Sequence, residues 1–293
     1  MNAKLHRDTI FNEQGPILTH EHLPGDQHTL RLQAPECAAH ARPGQFVHLQ
    51  VHPLRPLRRP ISLMRTSPEE GWIELLYKAV GEGTRLLAER QTGEIIDLLG
   101  PIGTPFEATG KRPLLIGGGV GMPPMLFLVE DLKRQGGFSP FVILGSEVPF
   151  PFQPRPSRIL TPALPGDVMA TMPLLDDWGI PCRLASLQGF PGCYEGYVTG
   201  LAKLWLNGLE DGARKEVEIF ACGPHPMLAA VARLADEFSL PCHVSLEEFM
   251  ACGVGGCAGC VVPVATEQGM AMKRVCVDGP VFDARQVFGS LKR

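Results

Sequence analysis

The chain lacks any apolar run that approaches the length of a membrane span. Its first residues, Met1-Asn-Ala-Lys-Leu-His-Arg, hold no apolar core of a secretory signal. A membrane protein and a secreted one are therefore not expected, and a cytoplasmic location is. Excess positive charge is also missing. The 27 Lys and Arg are outnumbered by 31 Asp and Glu, for a net charge of −4, so nucleic acid is not expected as the main partner. No internal repeat and no low-complexity tract is present. No Ser-His-Asp set stands out, and the nine histidines are scattered without a ligand pattern. Hydrolytic chemistry thus has no visible machinery.

What is present is an ordinary globular composition, 44% hydrophobic and 20% charged, in 293 residues. That length allows two or three domains. Nine cysteines without a secretion signal point to a reducing compartment and to ligation rather than disulfides. Four of them stand as Cys252-Gly-Val-Gly-Gly-Cys257-Ala-Gly-Cys260 and Cys276, a C-x4-C-x2-C-x15-C spacing. Thiolates are soft ligands that suit zinc or an iron–sulfur cluster. The x4, x2 spacing is that of a plant-type 2Fe–2S loop. Interleaved glycines would turn their N–H groups toward sulfur. A structural zinc site is the alternative, though zinc sites favour paired short spacings and this chain has one CxxC. Cys37, Cys182, Cys193, Cys222 and Cys242 read as small buried hydrophobes.

In the first hundred residues Thr29–Ala34 and Gln45–Val51 alternate with period two, and Trp72–Val80 and Glu94–Leu99 read as two further strands, with turns between. Strands at this spacing predict a small antiparallel barrel. Within it, Arg58-Arg59-Pro60-Ile61-Ser62 begins a strand and offers a guanidinium fork for phosphate. Gly81-Glu-Gly83-Thr84 opens a short helix over Thr84–Arg90, with Thr84 as its cap, a second anion-type position. Either one alone could be a basic strand edge or a capped turn. Leu98–Phe106, with Pro101 and Pro105, reads as an irregular exit, and the first boundary falls at residue 108.

Arg112–Ile116, the turn Gly117-Gly118-Gly119-Val-Gly121 and a helix to Gln135 lead to a strand at Phe141–Gly145, a βαβ unit. The prolines at 123 and 124 set it apart from the GxGxxG pattern. Glu147 follows the second strand, where a carboxylate would bond a ribose 2′-hydroxyl and favour NADH over NADPH. Val148–Pro165, with six prolines, reads as an ordered surface loop. Cys222-Gly223-Pro224 ends a later strand, where open α/β sheets bind ligands.

Taken in order, Arg59-Pro-Ile-Ser62, Gly83-Thr84, Gly117–Gly121, Cys222-Gly-Pro224 and Glu248–Cys260 with Cys276–Phe282 resemble the ferredoxin–NADP reductase superfamily. More narrowly, they resemble the electron-transfer subunits of NAD-linked dihydroorotate dehydrogenases. The resemblance spans essentially the whole chain. It implies an α+β multidomain protein: an antiparallel β-barrel FAD domain (1–108), an α/β parallel-sheet NAD domain (109–241) and a C-terminal 2Fe–2S segment (242–293). It implies that Arg59, Pro60, Ile61, Ser62, Leu76, Tyr77, Lys78, Gly83 and Thr84 hold FAD. Gly117, Gly118, Gly119, Gly121, Cys222, Gly223 and Pro224 would place the nicotinamide, and Cys252, Cys257, Cys260 and Cys276 the cluster. No residue is expected to act as an acid or base. The partner implied is an FMN-containing catalytic subunit in a heterotetramer, with electrons passing from its flavin through the cluster to FAD and NAD+ during dihydroorotate oxidation in pyrimidine biosynthesis. A differently partnered NAD(P)H:acceptor reductase and a zinc-stabilised nucleotide-binding regulator are the competing readings. The proline-rich stretch and Ser186–Tyr197 depart from the family pattern.

Overall fold

The computed structural model describes residues 9–52 and 55–289; the Met1–Arg7 reading lies outside them. Six strands close a barrel in the order β1-β2-β5-β4-β3-β6. They are β1 (Phe11–Leu23), β2 (Gln27–Gln33), β3 (Phe46–Gln50), β4 (Arg59–Ser67), β5 (Trp72–Lys78) and β6 (Ile95–Ile102). Two short helices, α1 (Pro35–His40) and α2 (Glu82–Ala88), sit in the connections. Alternation does the work expected of it. Leu30, Leu32, Val47, Leu49, Leu63, Ile73, Leu75 and Leu98 fill the interior with no exposed surface.

Three elements of the barrel depart from the sequence reading. β1 is absent from it, because Gly15 and Pro16 interrupt the pattern. Those residues are the corner at which β1 leaves β6 (through Pro16) and joins β2 (from Ile17). β6 continues through Pro101 to Ile102 instead of fraying at Leu98. α2 starts at Glu82 with Gly81 as its N-cap. Thr84 is its third residue, and its Oγ1 accepts from the Gly81 N–H and donates to the Gly81 carbonyl, both at 3.1 Å.

A seven-stranded sheet follows, in the order β12-β11-β8-β7-β13-β14-β17. Its strands are β7 (Arg112–Gly118), β8 (Phe141–Gly145), β11 (Cys182–Ser186), β12 (Tyr194–Glu195), β13 (Val217–Cys222), β14 (Cys242–Ser245) and β17 (Val281–Asp283). All neighbours pair in parallel except β17, which runs antiparallel along β14. The chain builds outward from β7 through β8 and β11, then returns to the other side of β7 with β13. The gap between the carboxyl ends of β7 and β13 is therefore the switch point, where such sheets bind ligands. Helices α3 (Met122–Gln135), α5 (Val198–Asn207) and α7 (His225–Glu237) cover the sheet. α3 also packs on β4 of the barrel. There the Arg65 guanidinium forks onto Glu130, at 3.1 and 3.3 Å, and fixes barrel to sheet.

The proline-rich loop is ordered by buried charge. It holds a two-residue strand, β9 (Arg155–Pro156), paired with β10 (Ala170–Thr171). Asp176, in the short helix α4 (Pro173–Asp177), accepts from Ser157 Oγ at 2.9 Å, the Arg158 N–H at 3.1 Å and Arg158 Nε at 2.9 Å. After a last small helix, α6 (Asp211–Arg214), and β14, the C-terminal segment adds the hairpin β15 (Val261–Thr266) and β16 (Gly269–Arg274), then β17 and α8 (Ala284–Phe288). Val264, Val275 and Phe282 join the main core, so this segment is welded to the sheet. No helix among the described residues is long and apolar enough to cross a membrane.

One buried carboxylate ties the sheet's lower edge. Glu218 accepts from the Thr109 and Gly110 N–H groups at 2.8 and 2.6 Å and from His243 Nε2 at 3.1 Å. Burial pushes its carboxyl up, but these bonds outweigh it and the net shift is downward from 4.5. A depressed folded value gives stability that is present above the unfolded value and lost as pH falls through the folded one. Glu218→Gln should cost about 1–3 kcal/mol at neutral pH and flatten the acid limb of stability against pH. Urea denaturation at several pH values checks both.

Candidate flavin, nucleotide and cluster sites

The two anion-type motifs of the barrel meet. A Cβ on Gly83 would lie 2.3 Å from Arg59 Nε and 2.7 Å from Cζ, so the bare backbone at the start of α2 lies against the guanidinium. Arg58 pairs with Asp97, whereas Arg59 donates, among the described residues, only to the Leu57 and Arg58 carbonyls, at 2.9 and 3.2 Å. The positive charge held beside the helix start is thus Arg59's, and it has the geometry for a phosphate. Ser62 stands opposite Phe46, and Pro60 opposite His48. Cross-strand partners share a face, so Pro60 and Ser62 lie on the outer side of the barrel wall while Ile61 points in. Leu76 is buried in the core cluster to which α3 contributes, and Lys78 ends β5 half-buried. Tyr77 is 3% exposed; its hydroxyl lies 2.8 Å from His20 Nε2 and its ring stacks on His28. Its hydroxyl is committed within the protein, and the pairing of β5 with β4 stops at Leu75, short of the Leu76–Lys78 backbone. β5 also touches the Gly119–Gly121 turn, so barrel and nucleotide motifs adjoin. Arg59→Gln should weaken FAD binding about 10- to 100-fold, the worth of charge-assisted bonds, as read by FAD retention on dilution.

At the switch point the two glycine turns interlock. Gly117 pairs with Cys222 and Gly118 with Gly145. A Cβ on Gly121 would fall 2.2 Å from the Cys222 carbonyl oxygen, and one on Gly118 2.4 Å from Met227 Sδ. Bare backbone from both turns therefore forms one shelf. Cys222 is fully buried, and burial pushes its thiol up, so it serves packing rather than nucleophilic chemistry. Glu147 is exposed just past β8, with Gln188 Nε2 at 3.4 Å.

The four spaced cysteines come together as two pairs. Cys260 and Cys276, each 3% exposed, have their sulfurs 3.4 Å apart. Cys252 Sγ accepts from the Cys257 N–H at 3.4 Å, and Cys257 Sγ from the Gly259 N–H at 3.4 Å. Burial pushes Cys252 up, but N–H bonds from Val254, Cys257 and Gly256 outweigh it and hold the thiol at about 7. Burial and the Cys260 neighbour push Cys276 up to about 12. The remaining cysteines sit apart, and burial raises Cys182 and Cys193 to about 11. Arg274 braces the loop by donating to the Gly255 carbonyl at 3.1 Å while pairing with Asp278. Among the described residues, no three His, Cys, Asp or Glu groups are placed to hold one metal ion. Two thiol pairs under a cradle of N–H groups fit a two-iron group better than a single tetrahedral zinc. Missed by the sequence reading is His48, which lies against this loop: a Cβ on Gly253 would sit 2.7 Å from its Nδ1.

Comparison with known proteins follows the same division. Residues 14–106 match the oxidoreductase FAD-binding domain, and residues 247–288 the iron-sulfur cluster binding domain of dihydroorotate dehydrogenase B. The dihydroorotate dehydrogenase B (NAD(+)) electron transfer subunit of Geobacillus sp. (strain WCH70) is 34% identical over 283 residues, covering 94% of this chain and 98% of that one. The chain belongs to the electron transfer subunits of dihydroorotate dehydrogenase B. The Bacillus caldolyticus member of the family is 37% identical over 257 residues, with 84% and 86% of the two chains covered. Among solved structures, an NADH-dependent reduced ferredoxin-NADP oxidoreductase, described for flavin-based electron bifurcation, superposes with a TM-score of 0.74. It is 28% identical, and the match covers 93% of this chain and 89% of that one. A ferredoxin reductase of carbazole 1,9a-dioxygenase shares the fold at TM-score 0.64 and 24% identity, over 80% and 69% of the two chains. Like its family, this chain is an oxidoreductase subunit that moves electrons between FAD and an iron–sulfur cluster.

Proposed function

We propose that this chain links dihydroorotate oxidation on an FMN-containing catalytic partner to NAD+ reduction, in a cytoplasmic heterotetramer serving pyrimidine synthesis. The observation that carries this reading is the contact of the cluster loop with the barrel, Gly253 against His48, one strand from Arg59–Ser62. When bound, FAD exchanges a hydride with nicotinamide and single electrons with the cluster. The residues contribute binding and placement. Arg59, with Gly83 and Thr84, would hold the pyrophosphate; Pro60–Ser62 and Leu76–Lys78 would line the flavin. The Gly117–Gly121 and Cys222–Pro224 shelf would seat the nicotinamide, and Glu147 would select the unphosphorylated ribose. Cys252, Cys257, Cys260 and Cys276 would ligate the cluster. The working units are proposed at 1–108, 109–241 and 242–293, with β14 and β17 of the last unit completing the sheet of the second.

The exposed side chains of Phe249 (93%) and Val254 (50%) flank the first cluster cysteine, and they support this face as the one a partner covers. Anaerobic mixing with dihydroorotate and NAD+ tests the reading. NADH should form only when the catalytic subunit is added. NADH formation without that subunit, or none with it, contradicts the assignment. In the second case, reduction of ferredoxin by NADH would favour the differently partnered reductase, a reading supported by the likeness to the ferredoxin-NADP oxidoreductase.

A further inference from the structure

His48 is fully buried, and neither ring nitrogen has a hydrogen-bond partner among the described residues. A neutral imidazole carries one N–H donor and one acceptor. Burying both unpaired carries the whole desolvation penalty, so the arrangement makes sense where something other than the protein supplies a partner. Burial, helped by the Arg58 and Arg59 charges, lowers His48 to about 4 and keeps the ring neutral.

The position narrows the choice of partner. Val47 and Leu49 point into the barrel core. Phe46, on the other face of β3, belongs to the core cluster that also holds Phe282, Val264 and Cys276 of the C-terminal segment. By strand alternation His48 shares that outer face. Its neighbour on β4 is Pro60 of the flavin motif, and on its other side Nδ1 is turned to Gly253, the residue after Cys252. Gly253 has φ +68 and no room for a Cβ, so the loop backbone closes directly over the ring. His48 therefore stands in the wall between the two redox sites.

We propose that His48 is reserved as a hydrogen-bond donor to the sulfur shell of the iron–sulfur group carried by the 252–260 loop, and that it sets the potential of that group. The inference rests on reading the four cysteines as cluster ligands. Hydrogen bonds to cluster sulfurs stabilise the more negative reduced state and raise the potential. Loss of this donor should favour the oxidised cluster, shifting the flavin–cluster electron equilibrium about tenfold, 59 mV for one electron.

The test is an anaerobic redox titration of the holoprotein, with the cluster followed by electron paramagnetic resonance and the flavin by absorbance. His48→Leu should lower the cluster potential by about that amount and leave the flavin potential in place. His48→Asn, whose amide nitrogen can stand where Nδ1 stood, should restore most of the shift. Pulsed resonance of wild-type protein carrying 15N-histidine needs no variant. It should show a weak nitrogen coupling to the reduced cluster. Absence of that coupling, equal cluster potentials in wild type and His48→Leu, or a shift confined to the flavin would each overturn the proposal. A wild-type protein without any cluster signal would overturn the cysteine reading beneath it, a distinguishable result.

Discussion

Cys276→Ser is expected to give a yellow protein without a cluster. Cys276 is 3% exposed, its sulfur lies 3.4 Å from that of Cys260, and its side chain is set in the main core with Val275 and Phe282. A serine oxygen is a harder and shorter ligand than a thiolate. The rigid surroundings leave little freedom to bring it nearer the iron. The flavin motifs lie on β4, β5 and α2 and share no residue with this pair. Absorbance should therefore lose the broad cluster bands and keep the flavin bands at full FAD occupancy. NADH-to-dye activity should stay within about twofold of wild type, since the hydride step bypasses the cluster. Transfer to the catalytic partner should fall below detection. Loss of FAD along with the cluster would show that the two sites are not separable.

Gly121→Val should produce the opposite phenotype. Gly121 has an ordinary φ of −84, so a side chain there meets no backbone strain. The obstacle is steric: its Cβ would press on the Cys222 carbonyl carbon at 2.3 Å and the Gly223 nitrogen at 2.5 Å. Those atoms belong to the end of a fully buried strand and cannot swing aside as a flexible side chain would. The two turns must part, and the shelf between β7 and β13 loses its shape. A misplacement of about 1 Å at a reacting centre can cost on the order of 100-fold in rate. Flavin reduction by NADH in anaerobic stopped flow should slow by that order. Both cofactors should remain bound and reducible by dithionite. An unchanged rate would move the nicotinamide away from these turns.

The parts of the fold that local chemistry dictates were legible in the sequence. Period-two alternation marked β2 and β3, because one face of each fills the barrel. Glycine turns marked the ends of β7 and β13, and cysteine spacing marked the cluster loop. β1 was hidden because its corner at Gly15 and Pro16 serves two partner strands, and neither half shows a long pattern. β17 is only three residues long and antiparallel in an otherwise parallel sheet; its place depends on β14, not on its own sequence. The contacts that assemble the site, Arg59 with Gly83, Gly121 with Cys222 and His48 with Gly253, span from about twenty to two hundred residues. His48 in particular reads as one polar position in an alternating strand. Nothing local announces that a loop far along the chain will cover it.

One chain should carry both a two-electron and a one-electron centre in electronic contact. Anaerobic titration of the isolated holoprotein with NADH, followed by absorbance and electron paramagnetic resonance, shows whether it does. The predicted result is bleaching of the flavin together with the resonance of a reduced 2Fe–2S cluster. A flavin reduced by NADH beside a loaded cluster that stays oxidised and silent would contradict it.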